Sequence, residues 1–147
     1  MWKTKVTPVF GDLDGLRHIN NCKLPVWFEG GRTPMYRLFH PNLDFDNWQL
    51  IIAKISVEYV AQMRLGADVE IRTFVKKIGR SSFTAFQEAW QDGTLCAKGE
   101  AVVVHYDFVN LKSLPIPGAI RAELDKHAVE PDHPSLRTRS GRFPPAG

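Results

Sequence analysis

FGDLDGLRHINN, residues Phe10 to Asn21, sets two carboxylates two positions apart in a glycine-punctuated loop and follows them with a histidine and paired asparagines. The segment behind it, Cys22 to Phe39, is rich in Trp, Phe and Leu. A loop held by a rigid scaffold can aim acids, an imidazole and amides at a ligand. A helix starting there adds the free N–H groups of its first turn. Each residue alone has a plainer role. Asp12 or Asp14 can close an Asx-turn, Asn20 or Asn21 can cap the helix, and His18 can be a satisfied loop histidine. The ordered set, with what lies downstream, outweighs those single-residue roles.

Working outward, the spacing of Leu24, Trp27, Phe28, Met35, Leu38 and Phe39 predicts a helix from Asn21 to about Phe39 with one buried stripe. Pro25 fits an early helical turn. Gly30, Gly31 and Thr33-Pro34 weaken that helix, kink it or split it in two. Upstream, Lys3 to Val9 is short and β-prone, with Pro8 tolerable only near a strand end or edge. Downstream, His40–Asn47 reads as loop. Four strand candidates follow: Gln49–Ala61, Asp68–Ile78, Ser81–Gln91 and Thr94–Val109. Asp92-Gly93 is a hairpin signal. Pro117 can open a last short helix, Gly118–His127. Residues 1–128 read as one domain, and 129–147 as a Pro- and Arg-containing tail expected to be poorly ordered. A long apolar helix followed by a meander of strands is an α+β pattern, solved naturally by wrapping the sheet around the helix. Such a sheet leaves edges that a second copy would cover, so a homodimer or homotetramer is expected.

The order of these pieces resembles the hot-dog-fold acyl-CoA thioesterases of the 4-hydroxybenzoyl-CoA thioesterase type. Their early loop reads roughly F-x-D-x-D-x-x-G-H-V-N-N and leads to a helix ending Y-F-E-x-A-R. The matching residues here are Phe10, Asp12, Asp14, His18, Ile19, Asn20 and Asn21, then Trp27, Phe28, Glu29 and Arg32. Ser56–Thr73 is similar to the family's second and third strands, and Lys76–Trp90 and Cys96–Asp107 to the fourth and fifth. Leu114–Leu124 is similar to its closing Pro-x-Pro and final helix. The resemblance covers about residues 4 to 126. It implies a single hot-dog domain, a long central helix wrapped by an antiparallel sheet of about five strands, with sites lying between subunits.

The same resemblance implies the chemistry. Thioester hydrolysis needs a base or nucleophile near the carbonyl carbon and donors near its oxygen. The family's second Asp falls on Asp14, as either base or nucleophile. A backbone N–H near Asn21, at the helix mouth, would serve as oxyanion donor. His18, Asn20 and Asn21 complete the catalytic set, with loop-holding and capping as their plainer roles. Coenzyme A, part of the substrate and not a cofactor, carries phosphates that need cations. Lys77 and Arg80, with Ser82, flank the Gly79 turn and are candidate contacts, against the plainer reading of a solvated hairpin tip. Tyr59 is a candidate for the acyl pocket. Arg17 stands where the family pattern has Gly; it either meets an anionic acyl group or pairs with Asp12. An acyl-carrier-protein thioesterase and a non-catalytic acyl-CoA-binding module are the alternatives.

Composition sets outer bounds. At 147 residues, 44% hydrophobic and 24% charged, the chain suits a soluble globular domain. Of its net charge of +3, the tail residues Asp132, Arg137, Arg139 and Arg142 carry most, leaving a body too neutral for a general nucleic-acid binder. Cys22 and Cys96 show no metal-ligand spacing, and a reduced cytosolic pair is expected. No apolar run reaches membrane-helix length and no signal-peptide core is visible, which together predict a cytoplasmic protein without metal or membrane partner.

Overall fold

The chain breaks the long central helix that its sequence predicts: α1 spans Lys23–Gly31 and α2 spans Thr33–Phe39. The computed structural model describes residues 1–137. Pro34 has no N–H to offer the carbonyl one turn back, and side chains take over where the ladder stops. Gln87 Nε2 donates to the Phe28 carbonyl at 2.8 Å, and Thr73 Oγ1 donates to the Gly31 carbonyl at 3.1 Å. Arg32 is buried at the joint, donating from Nη1 to Gln87 Oε1 (3.1 Å) and from Nε to the Tyr36 hydroxyl (2.9 Å). The exposed carbonyls of a helix end are thus satisfied inside the protein. Only glycine fits at position 31, where a Cβ would lie 2.7 Å from Ile71 Cγ2 and 2.9 Å from Gln87 Nε2.

Five strands form one antiparallel sheet: β1 (Trp2–Val6), β2 (Leu50–Tyr59), β3 (Val69–Ile78), β4 (Ser82–Gln91) and β5 (Thr94–Asp107), in the order β1-β3-β4-β5-β2. A two-residue strand, β6 (Lys112–Ser113), adds to the end of β5, and α3 (Gly118–Asp125) closes the domain. This is an α+β architecture consistent with the hot-dog arrangement, with the central helix in two pieces. The β4–β5 hairpin turns on Asp92 and Gly93, both at positive φ (50° and 72°), the geometry of a two-residue hairpin that follows the twist of its strands.

The core lies between the helices and one face of the sheet. Leu24, Trp27 and Phe28 of α1 pack with Val69, Ile71, Ala89 and Ala97. Met35 of α2 and Leu124 of α3 pack with Val75, Phe83, Ala101 and Val103. Burial of such side chains contributes roughly 1.5–3 kcal/mol each before entropy is subtracted.

The opposite face carries a charged row across four strands, Arg72–Glu88–Lys98–Glu58, each residue registered on the next. Part of the expected tail covers it. Val75 N–H donates to the His127 carbonyl (2.9 Å) and Val129 N–H returns to the Val75 carbonyl (2.8 Å). Val129 and Leu136 pack on Phe74 and Phe86. Glu88, fully buried, accepts from the Ser135 hydroxyl and bonds His133 Nε2 at 3.1 Å, while Lys98 Nζ donates to the Ser135 and Arg137 carbonyls at 2.9 Å each. Residues 129–137, expected to be poorly ordered, therefore form a strap, because two apolar side chains and a buried carboxylate hold a segment whose composition alone promises nothing. The remainder of that tail, 138–147, lies outside the described residues.

Candidate active site

The acidic loop folds as a tight hook before α1. Asp12 turns inward: its Oδ2 accepts from Val9 N–H at 2.8 Å and its Oδ1 lies 3.5 Å from Lys23 Nζ. Asp12 and Asn20 also join main chains, the Asn20 N–H donating to the Asp12 carbonyl at 2.8 Å. Asp14 lies at the tip and is exposed. Its Oδ1 accepts from Leu16 N–H (2.8 Å) and His18 N–H (3.3 Å), and its backbone N–H bonds the His18 carbonyl at 2.8 Å. The Asx-turn is thus present, and it uses one carboxylate oxygen. Among the described residues nothing donates to Oδ2.

Asp14 faces a cavity of about 270 Å³ lined with Asn21, Leu24, Tyr59 and the segment Val60–Met63. Asn20 Oδ1 accepts from Cys22 N–H at 2.9 Å, so this side chain fixes the approach to α1. Asn21 is exposed at the helix mouth, and its carbonyl accepts from the Tyr59 hydroxyl at 2.5 Å. Among the described residues no acceptor meets the Asn21 N–H. Burial raises the Tyr59 phenol above its usual pKa, with a smaller push from the Cys22 thiol, so this hydroxyl stays protonated and donating at neutral pH. His18, half-buried, holds the hook through its backbone. Two residues that line one cleft, Asp14 with a carboxylate oxygen free of the Asx-turn and Asn21 with an N–H that meets no acceptor among the described residues, stand just ahead of the first turn of α1. That suffices to deliver or accept a proton beside a carbonyl whose oxygen is developing charge.

Arg17 has φ 62°, the left-handed conformation that glycine favours, and its side chain is exposed. Asp12 pairs with Lys23 instead, so of the two roles open to Arg17 the pairing with Asp12 is not the one this structure makes.

The structure brings Asp14, Asn21 and Tyr59 together, with His18 and Asn20 as their support. It does not bring Lys77, Arg80 and Ser82 to them. Ser82 is registered on Val104, which is registered on Ile51, whereas the Asp14 cavity sits at Tyr59. From Ile51 to Tyr59 an extended strand rises about 25 Å at ~3.3 Å per residue. The cationic turn is therefore at the other end of the same protomer's sheet. Sequence reasoning missed the cavity wall Gln62–Met63, whose only signal is a break in strand alternation after Tyr59. It also missed a second cavity of about 360 Å³ near the Ile51 end, lined by Glu29, Tyr36, Phe45, Trp48 and Ile52 among others. The signal there was an exposed aromatic, Phe45, inside a run of turn formers. Among the described residues no group of His, Cys, Asp and Glu side chains could hold a metal ion, and no helix is long and apolar enough to cross a membrane.

Comparison with known proteins places these features in context. The model of the thioesterase-like superfamily matches residues 8–124. An acyl-CoA thioester hydrolase, YbgC, from Escherichia coli O6:H1 is 27% identical over 126 residues, covering 83% of this chain and 92% of the relative. The structure of a predicted thioesterase from Bacillus stearothermophilus superposes with a TM-score of 0.85 at 42% identity, covering 88% of this chain and 98% of that one. A Thermus thermophilus thioesterase solved with coenzyme A and Zn superposes with a TM-score of 0.74 at 27% identity, over 83% and 95% of the two chains.

Proposed function

Because the chain belongs to the thioesterase-like superfamily, we propose that it hydrolyses acyl-CoA thioesters to a carboxylic acid and free coenzyme A, with Asp14 as the catalytic carboxylate. The observation that carries this reading is the uncommitted Asp14 oxygen on the wall of a cleft that also holds the mouth of α1. Water attacks the carbonyl carbon as Asp14 takes its proton, or Asp14 itself attacks and water resolves the resulting anhydride. In both routes the C–S bond breaks and the leaving thiolate ends protonated. The developing oxyanion is met by the Asn21 N–H and the positive end of the α1 dipole. No resident cofactor is needed, since coenzyme A arrives and leaves as part of the substrate.

The active unit in this reading is a dimer joined along β2. Of the two sheet edges, β1 is short and carries exposed Lys3 and Lys5, the usual guard against pairing. β2 has 10 residues, pairs among the described residues only with β5, and exposes Ile51, Ile52 and Ile55. A second copy adding antiparallel to β2 extends the sheet and covers those side chains. The exposed thiol of Cys22 and the unpaired Cys96 support a reducing, cytoplasmic setting.

The test is Asp14→Asn. Asparagine keeps the Oδ1 acceptor for Leu16 and His18 and preserves the hook, but takes no proton. Hydrolysis of acyl-CoA, followed by thiol release, should fall by about 10²–10⁴-fold with an unchanged circular dichroism spectrum. Full retained activity would remove Asp14 from the mechanism.

A further inference from the structure

Asn21 sits where two rigid peptide groups meet, and both are held. In the first, between Asn20 and Asn21, the Asn20 carbonyl accepts from Lys23 N–H at 2.9 Å. In the second, between Asn21 and Cys22, the Cys22 N–H donates to Asn20 Oδ1 at 2.9 Å and the Asn21 carbonyl accepts from the Tyr59 hydroxyl at 2.5 Å. A peptide group is planar and trans, so its C=O and N–H point opposite ways. The Asn20 carbonyl is drawn toward the first turn of α1, and the Asn21 N–H, at the other edge of that plane, is turned away from the helix. Of these three holds, two reach no further than three residues along the chain. The Tyr59 hydroxyl alone arrives from another element, 38 positions away at the end of β2. That strand end is itself tied down. Val60 and Ala61 N–H both donate to the Cys96 carbonyl, at 2.8 and 3.0 Å, and the Met63 carbonyl accepts from Ile19 N–H at 3.0 Å.

We infer that Tyr59 is a positioning residue of the hydrolytic site: its hydroxyl clamps the peptide between Asn21 and Cys22 to the opposite wall of the Asp14 cleft, and so holds the Asn21 N–H in place for the oxyanion. This rests on the hydrolase reading above and adds a residue to its machinery. The clamp also quiets a carbonyl. Asn21 and Tyr59 both line the cleft, so the Asn21 carbonyl is the negative end of a dipole close to where negative charge develops. Left bare, it would oppose that charge; with the phenol proton on it, its lone pair is engaged. Burial holds the phenol above its ordinary pKa, so the proton is present throughout the neutral range. A phenol has one proton to donate, and here it goes to Asn21, which leaves the ring as the part of Tyr59 that an acyl group would meet. Ring and hydroxyl thus have separable roles, and removal of the oxygen alone separates them.

Tyr59→Phe keeps the ring and removes the clamp. The chain has two cysteines, and Cys22 is the one that follows an asparagine, so isotopic labelling of asparagine carbonyls and cysteine amides singles out the peptide between Asn21 and Cys22 by NMR. In the variant the Cys22 amide order parameter should fall from the rigid-backbone value of about 0.85 toward 0.6, with Cys96 unchanged as the internal reference. Acetyl-CoA, octanoyl-CoA and benzoyl-CoA then report the reaction through thiol release. For Tyr59→Phe, kcat and kcat/KM should fall together by about 10–10²-fold, and by the same factor on all three, the mark of a hold felt in the transition state. Loss of an acyl contact would instead raise KM or reorder the three substrates with kcat kept. That result would overturn the inference and leave the hydrolase reading in place, and so would a Cys22 amide as rigid in the variant as in the wild type. A wild-type protein that releases thiol from none of the three would overturn the hydrolase reading and the inference with it.

Discussion

Arg17 shows how one residue can record a departure from its family. A non-glycine residue in the left-handed region costs roughly 1–2 kcal/mol, and glycine recovers most of that while adding about 0.5–1 kcal/mol of unfolded-chain freedom. Arg17→Gly should therefore stabilise the protein by about 0.5–1 kcal/mol, read as a rise in urea midpoint at constant slope. An unchanged or lower midpoint would show that the side chain makes a stabilising contact of its own. The position was legible in sequence as a missing glycine, but its backbone angle was not, because an arginine codon carries no sign of φ. The same limit applies to Asp14. Its place in the pattern could be read. That the Asx-turn would take only Oδ1, and leave Oδ2 without a donor among the described residues, required the hook to be built.

Among the elements, the segment from His40 to Leu50 does more than connect α2 to β2. His40 Nε2 accepts from Gln49 N–H at 3.1 Å, and its ring stacks on Trp48. Burial lowers its pKa below 6.5, helped by the nearby His105 and opposed by Asp44. The folded state thus prefers neutral His40, so its stabilisation is complete above the ordinary histidine pKa and is lost as pH falls through the lower folded value. Protonation also removes the acceptor for Gln49. Thermal midpoints should drop as pH is lowered from 7 to 5, and His40→Gln should flatten that slope. An identical slope in the variant would exclude this histidine as the sensor. The element string itself was well foreshadowed: strand alternation, the Asp-Gly hairpin and the splitting glycines all appear in local composition. The strap was not, since what holds residues 129–137 is a partner surface contributed by β3, β4 and β5.

For the molecule as a whole, the unequal edges of the sheet decide how the proposed dimer would be joined. Ile55 is 51% exposed near the middle of β2, close to the expected two-fold. Ile55→Lys places two ammonium groups face to face in a β2–β2 pairing and gives the edge the same guard that β1 already carries. Sedimentation should show a monomer, with octanoyl-CoA hydrolysis lost alongside the dimer. A monomer with full activity would confine the working site to a single chain. Here the sequence was informative in a different way. A run of Ile, Ala, Ile and Val at alternating positions marks β2 as a strand with an apolar face. Only the topology reveals that it is the outermost strand, and hence that Ile51, Ile52 and Ile55 stay exposed in the single chain.

The strap over the charged row bears on how the protein can be handled at the bench. Phe74 and Phe86 are shielded by Val129 and Leu136, and the Glu88 carboxylate is hydrogen-bonded, among the described residues, only by His133 and Ser135. Shortening the chain at Ala128 would turn two phenyl rings toward water beside a carboxylate stripped of its donors. Such a clone should give inclusion bodies where the longer one gives clear lysate, so trimming just beyond the family match, which ends at residue 124, would discard the stopper that keeps this face from sticking.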